Sequence, residues 1–207
     1  QRRQGATMSH AEPVDSVARP VHYRTMTKQT LLGAVLAGGQ SRRFGSDKAV
    51  ATLAGTTMIE LALARLRSWC DAVVIVGRET GPAPCVPDWP GPGLGPLAGL
   101  AGALRHAAAA GYDAVLVCGV DSPGLPDDLP GLLTPGPACL VDQPVIGLWP
   151  VSSLPKAEAI LLGQGRRSML AFAEAAGARL VRTAGDIANV NFPEDIERLR
   201  AASQAKS

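Results

Sequence analysis

Apolar residues arrive along this chain in two rhythms. Leu31–Ala37 is a short unbroken apolar run ending in Gly38-Gly39, the pattern of a parallel strand covered on both faces. Met58, Ile59, Leu61, Ala62, Leu63, Leu66 and Trp69 then recur at helical spacing, which predicts a helix with a broad apolar face over Met58–Trp69. Asp71–Gly77 (DAVVIVG) is a second buried strand, and the Pro/Gly-rich residues 78–96 read as loop. An Ala-rich helix follows over Leu97–Ala110, with Gly111 placed to cap it, and Ala114–Val120 is a third strand closed by Asp121-Ser122-Pro123. Beyond it the pattern predicts a strand pair over Ala138–Val141 and Val145–Pro150. Helices are expected over Pro155–Leu162 and Ser168–Ala176, and a short strand over Arg179–Arg182. A last helix over Pro193–Ala202 would carry Pro193 at its first position and Glu194 and Asp195 in its first turn, where the macrodipole favours acids. Repeated strand–helix alternation implies an α/β fold with a mainly parallel sheet covered on both faces. A chain of 207 residues suits one such domain, assigned to residues 31–204.

Composition changes this picture in three places. The net charge of +2 comes from the first thirty residues, which hold five basic and two acidic side chains; the remaining 15 basic and 16 acidic residues leave the body at −1. No basic field for nucleic acid results. His10 and His22 also fall in that extension, so the body has only His106, which excludes a His-rich metal site and leaves little for a Ser-His-Asp triad. Cys70, Cys85, Cys118 and Cys139 are widely spaced with no C-x-x-C, as expected of reduced, mostly buried thiols in a cytoplasmic protein. No apolar stretch of ~20 residues is present to span a bilayer. Residues 1–30 form an extension expected to be poorly ordered. Its first 25 residues read as vector-derived or upstream sequence, with Met26 a candidate natural start.

The strongest chemical signal is Leu36-Ala37-Gly38-Gly39-Gln40-Ser41-Arg42-Arg43-Phe44-Gly45-Ser46-Asp47-Lys48. It leaves the carboxyl end of the first strand, where open α/β sheets bind ligands. Glycines there let backbone N–H groups approach a phosphate chain, and Arg43 and Lys48 add positive charge for a triphosphate. It is neither a Walker loop nor a G-x-G-x-x-G dinucleotide loop.

This run resembles the signature L-A-G-G-x-S-x-R-x-G-x-D-K of the molybdenum cofactor guanylyltransferases. Further matches keep the family's order: Gly95-Pro96-Leu97-Ala98-Gly99, Asp121-Ser122-Pro123, Gln143-Pro144, Asn189-Val190-Asn191 and Pro193-Glu194-Asp195. Phe44 stands where Met is common, a form more typical of the cytidylyltransferase relatives, and Phe192 stands where Thr is usual. The resemblance implies a Rossmann-like three-layer α/β/α sandwich of the nucleotide-diphospho-sugar transferase type. It implies a nucleotide held by Leu36, Ala37, Gly38, Gly39, Lys48, Asp88, Gly95 and Asp121, with Arg43, Lys48 and Asp121 as the catalytic set and Mg²⁺ on Asp121. Asn191 is a candidate for metal or product contact and equally a cap for the last helix. Arg166 and Arg167 are candidates for the acceptor's phosphate or a solvated pair.

The implied reaction transfers GMP from GTP to the phosphate of molybdopterin or molybdenum-molybdopterin, with a molybdoenzyme or its chaperone as a further partner. An acceptor phosphate is already anionic at neutral pH, so no general base is needed, which suits a body with one histidine. Rival readings are a molybdopterin cytidylyltransferase, a sugar-1-phosphate nucleotidyltransferase and a non-catalytic nucleotide-binding regulatory domain. The guanylyl and cytidylyl families differ at the position of Gly38, so Gly38→Ala is expected to lower kcat/KM for GTP more than for CTP. The composition break near residue 26 predicts that deleting residues 1–25 leaves activity and melting temperature nearly unchanged; a clear loss of either would mean that the segment docks on the body.

Overall fold

The computed structural model describes residues 29–38 and 48–185, together with residues 187, 190, 195 and 198. The extension 1–28, Gly39, Arg43, Phe44, Asn191 and Phe192 lie outside the described residues. Of the expected last helix, Asp195 and Arg198 are described, and both are helical.

Strand β1 (Leu31–Leu36) lies inside the sheet, third from one edge. Its start is tied to its neighbours by two carboxylates: the Leu31 N–H donates to Asp71 at 2.7 Å, and the Thr30 N–H and hydroxyl donate to Asp113 at 2.7 and 2.8 Å. After a 3-10 turn (Lys48–Val50) comes a hairpin of β2 (Thr52–Leu53) and β3 (Thr56–Thr57), closed by Ala54 and Gly55 at φ 51° and 85°. Two successive positive φ values suit the twist of a tight hairpin. Thr57 then caps α1 (Met58–Arg67) in a reciprocal capping box with Glu60.

Next come β4 (Ala72–Val76), β5 (Cys85–Val86), α2 (Pro96–Ala110), β6 (Ala114–Gly119) and the short α3 (Leu129–Leu133). The chain continues through β7 (Ala138–Leu140), β8 (Gly147–Pro150), α4 (Leu154–Leu162), α5 (Met169–Ala176) and β9 (Arg179–Val181). The seven long-range strands form one sheet in the order β5-β4-β1-β6-β8-β7-β9, in which only β8 runs against the rest. The expected α/β sandwich with a mostly parallel sheet is therefore present. One expectation is corrected: residues 78–96 are not all loop, because Cys85–Val86 pairs in parallel with Ile75–Val76 as an edge strand. Two residues among prolines and glycines carry no strand pattern of their own; the exposed edge of β4 decides the pairing.

Period-two alternation sorts the side chains of β1. Leu32 and Ala34 face α2, α4 and α5, whereas Val35 faces α1 and α3. At Gly33 a Cβ would lie 3.0 Å from the Leu66 Cβ, so α1 sits down on the sheet there. Gly111 and Gly177 end α2 and α5 in the left-handed conformation that glycine adopts without steric penalty. Because α1 and α2 cover opposite faces, the connections leaving β1 and β4 diverge, and a crevice opens at the carboxyl ends of these adjacent strands.

On the α2 face, Trp149 and Phe172 are both fully buried, with ring centroids 4.7 Å apart. Phe172→Ala should destabilise the chain by about 3–5 kcal/mol, a fall in melting temperature on the order of 10 °C. Leu162→Ala, at a side chain 65% exposed, should change stability by no more than about 0.5 kcal/mol. Chemical denaturation of both variants checks the contrast.

Candidate functional site

The crevice is built from backbone. The Ala37 and Gly38 N–H groups both donate to the Val76 carbonyl, at 3.0 and 3.1 Å, so the chain leaving β1 stays on the end of β4. Gly77, the next residue, has φ +83° and donates to the Val86 carbonyl. Gly38 and Gly77 then meet face to face. A Cβ on Gly38 would lie 2.8 Å from the Gly77 Cα, and a Cβ on Gly77 would lie 2.6 Å from the Gly38 Cα. Neither position has room for a side chain.

Asp88 closes one side of this floor. Its Oδ1 lies 3.1 Å from where a Gly77 Cβ would stand and 3.4 Å from where a Gly99 Cβ would stand. Burial pushes its carboxyl above its ordinary pKa. The folded state thus holds this proton more tightly than the unfolded chain does. The group favours folding at low pH and loses that contribution as pH rises through the raised value. An ionised carboxylate kept partly from water is suited to accept hydrogen bonds from an incoming donor. Gly95 opens α2 at φ +82°; a Cβ there would meet nothing within 4 Å, so its conformation rather than crowding calls for glycine.

The other half of the site lies across β1. Asp121 follows β6, and Lys48 opens the 3-10 turn, with Lys48 Nζ 3.7 Å from Asp121 Oδ2. The lysine side chain is 12% exposed and the aspartate 35%, so the carboxylate is the more accessible of the two. Several bonds hold Asp121. Its carbonyl accepts from the Val190 N–H at 2.9 Å, and its Oδ1 accepts from the Ser122 hydroxyl at 3.4 Å. Buried Ser122 shares that one hydroxyl proton with Gln143 Oε1, the nearer acceptor at 3.0 Å, and the Gln143 amide donates to the Ile187 carbonyl at 3.1 Å. The Leu36 carbonyl accepts from the Val120 N–H at 3.2 Å, which ties the ends of β1 and β6.

The structure therefore brings together Leu36, Ala37 and Gly38 with Asp88 on the β4 side and with Lys48 and Asp121 on the β6 side. Adjacent strands lie about 5 Å apart, so the two halves flank β1 at a separation of ~10 Å. Gly77, Ser122 and Gln143 had no assigned role in the sequence. Gln143-Pro144 was visible as a motif, but that it steadies the Asp121 turn depends on tertiary placement. Among the described residues no group of three or more His, Cys, Asp or Glu side chains could hold a metal ion. Asp121 is a single partly exposed carboxylate at a strand end, which fits Mg²⁺ brought in with substrate phosphates and water.

Other candidates lie away from this centre. Arg166 and Arg167 are exposed between α4 and α5, and Arg167 donates to the Gly163 carbonyl at 3.2 Å. His106 is exposed on α2. All four cysteines are free thiols; burial, with the charge of Asp121 and the nearby Cys70 adding, pushes Cys118 up to about 12, which excludes a thiolate nucleophile there at neutral pH. Among the described residues no helix is long and apolar enough to cross a membrane.

Comparison with known proteins gives the family and the fold. Residues 33–183 match the model of the MobA-like NTP transferase domain. The chain is 36% identical over 179 residues to a molybdenum cofactor guanylyltransferase of Rhodobacter capsulatus, covering 81% of this chain and 94% of that protein. It is 33% identical over 186 residues to a protein of the same description from Acidiphilium cryptum, covering 83% and 94%. Among solved structures it superposes on molybdopterin-guanine dinucleotide biosynthesis protein A of Archaeoglobus fulgidus with a TM-score of 0.67 at 24% sequence identity, over 84% of this chain and 99% of that one.

The contact of Gly38 with Gly77 revises the expectation for Gly38→Ala. An added methyl would displace the Gly77 backbone before it reached a base. The variant should lose about 1–3 kcal/mol of stability, the usual cost of overpacking, and should weaken GTP and CTP together. Gly91→Ala, where a Cβ meets nothing within 4 Å, should change neither. Thermal melts and nucleotide titrations of the two variants check this; a selective loss of GTP with unchanged stability would restore the base-reading role of Gly38.

Proposed function

We propose that this chain, which belongs to the MobA-like NTP transferase family, transfers GMP from GTP to the terminal phosphate of molybdopterin or its molybdenum form. The observation that carries this reading is the arrangement around the end of β1: a side-chain-free crevice edged by the Asp88 carboxylate on one side, and the Lys48–Asp121 pair on the other. Guanine presents adjacent N1–H and N2–H donors, both of which a carboxylate can accept. Adenine and cytosine place a ring nitrogen acceptor next to the amino group, which a carboxylate repels. Asp88 therefore favours guanine, in line with the guanylyltransferase description of the curated relatives.

The chemistry asks little of side chains. An oxygen of the acceptor phosphate attacks the α-phosphorus of GTP, the bond to the β-phosphate breaks, and pyrophosphate leaves with that electron pair. Both reactants are anions, so the chain's task is to align them and offset their charge. Lys48 supplies positive charge from a largely buried side chain, and the backbone of Leu36, Ala37 and Gly38 presents a close, smooth surface to the nucleotide. Arg43, from the same loop, is assigned to the triphosphate, and Asn191 to the product side. Asp121 would hold Mg²⁺, which neutralises phosphate charge and polarises the phosphoryl oxygens. Lys48 faces Asp121, and the phosphate oxygens of a triphosphate would pair with the lysine and leave the carboxylate available to a divalent ion. His106 has no part in this scheme.

The direct test is turnover with each nucleoside triphosphate and molybdopterin, with and without Mg²⁺. GTP with Mg²⁺ should be the productive combination, with pyrophosphate released in equal amount to product. Preferential use of CTP would assign the chain to cytidylyl transfer, and full turnover in the presence of a chelator would remove the metal. Asp121→Ala should abolish most turnover while the melting temperature stays near that of the parent, because the side chain is partly exposed and its removal opens no core cavity; near-normal Mg²⁺-dependent activity in that variant would remove Asp121 from the mechanism.

A further inference from the structure

Asp88 sits in a segment with almost no secondary structure of its own. Between β5 and α2 the chain runs Pro87-Asp88-Trp89-Pro90-Gly91-Pro92-Gly93-Leu94-Gly95, and no helix or strand spans it. Beside it lies an open cleft of about 640 Å³ lined by Asp88, Trp89, Arg105, His106 and Leu154 among others. Trp89 and Leu94 pack against the core, but the cleft leaves the segment around Asp88 open along one side. A carboxylate that reads a base must nevertheless stay within a few tenths of an ångström of its working position.

Three contacts from α2 hold the segment, and they bracket Asp88. On one side, the Pro87 carbonyl rests on Gly102, where a Cβ would come within 2.2 Å of the oxygen. On the other, the Trp89 N–H donates to the Ala98 carbonyl at 3.0 Å. The third contact is made by a side chain. The Arg105 guanidinium lies over the Trp89 ring, 5.1 Å from its centroid, and is itself paired with Glu158 on α4. Arg105 is half exposed at its side chain, so it adds little to the core, and it reaches across the cleft to the residue next to Asp88. Stacking on an aromatic face and pairing with a carboxylate are both suited to the planar guanidinium.

We propose that Trp89, Arg105 and Glu158 form a positioning clamp for Asp88, and so set the affinity and base preference of the nucleotide site without touching the nucleotide. This inference rests on the assignment of Asp88 to guanine. The clamp couples the base-reading loop to α4 through Glu158. It acts on binding rather than on the chemical step, because Lys48 and Asp121 lie on the far side of β1.

A double-mutant cycle on the full chain tests it, reading the dissociation constant of GTP with Mg²⁺ by titration, then KM and kcat separately in turnover. Arg105→Ala should weaken GTP roughly tenfold, the scale of a partly exposed cation–π contact and ion pair lost together, with kcat within about twofold. Arg105→Lys should recover part of the loss, since an ammonium keeps the charge over the ring. Glu158→Gln, which leaves the stacking in place, should give a smaller loss in the same direction and serves if Arg105→Ala folds poorly. In an Asp88→Asn background, Arg105→Ala should have almost no further effect on GTP. An equal loss in both backgrounds would mean that Arg105 acts through general stability, and would overturn the clamp. Unchanged GTP affinity in Arg105→Ala, with a clear loss in Asp88→Asn, would overturn the clamp and leave the reading of Asp88 standing. Unchanged GTP affinity in Asp88→Asn itself would bring down both.

Discussion

The site depends on one close approach: the backbones of Gly38 and Gly77 touch at the carboxyl ends of β1 and β4, nearer than any side chain would permit. Parallel pairing sets the two strands side by side, and the bonds from Ala37 and Gly38 to the Val76 carbonyl extend that pairing one step past the strand ends. The result is a floor made of main chain, in which every donor and acceptor has a fixed direction. Flat aromatic ligands and phosphate chains bind such floors well because nothing protrudes to keep them off. The opposed placement of α1 and α2 then opens the walls of the crevice above it.

The two sides of the floor divide the work by charge. Toward β4 and β5 the feature is a partly desolvated carboxylate, costly when ionised and unoccupied, and therefore receptive to hydrogen-bond donors. Toward β6 it is a lysine and a carboxylate in mutual contact, charges of the signs that a phosphate chain and a divalent ion would pair with. Ser122, Gln143 and the Ile187 carbonyl steady the Asp121 turn by a chain of hydrogen bonds that draws the distal part of the molecule into the site. The strand order explains why residues far apart in sequence meet at one end of the sheet: β1 lies between β4 and β6, so the loops following all three strands converge.

Much of this architecture is legible in the chain itself. The apolar runs of β1, β4 and β6, and the amphipathic or Ala-rich helices between them, follow from periodicity because burial on both faces of a parallel sheet leaves no polar positions to confuse the pattern. What escapes is whatever another element decides. The strand at Cys85–Val86 exists because β4 offers an unpaired edge. The hairpin before α1 depends on two residues at positive φ, and the Thr57–Glu60 capping box that opens α1 emerges only in the structure. In the site, Leu36 and Gly38 lie at the end of β1, Lys48 and Asp121 pair beside it, and Asp88 falls at the crevice. The partner of Gly38 was invisible, since Gly77 looks like any residue ending a strand. So was the support given by Gln143, which is 21 residues from Ser122.

The central claim is that the Asp88 carboxylate at the glycine floor reads the guanine edge. It is tested most directly by changing the hydrogen-bond pattern on both sides at once, comparing GTP and xanthosine triphosphate on the parent chain and on Asp88→Asn. Xanthine keeps N1–H but replaces the 2-amino donor with an oxygen acceptor, which the asparagine amide can match and a carboxylate cannot. The parent should prefer GTP, and the substitution should move the ratio of the two dissociation constants toward xanthosine triphosphate by roughly tenfold or more, the scale of one mismatched polar contact. A ratio that stays the same in the folded variant would contradict that claim.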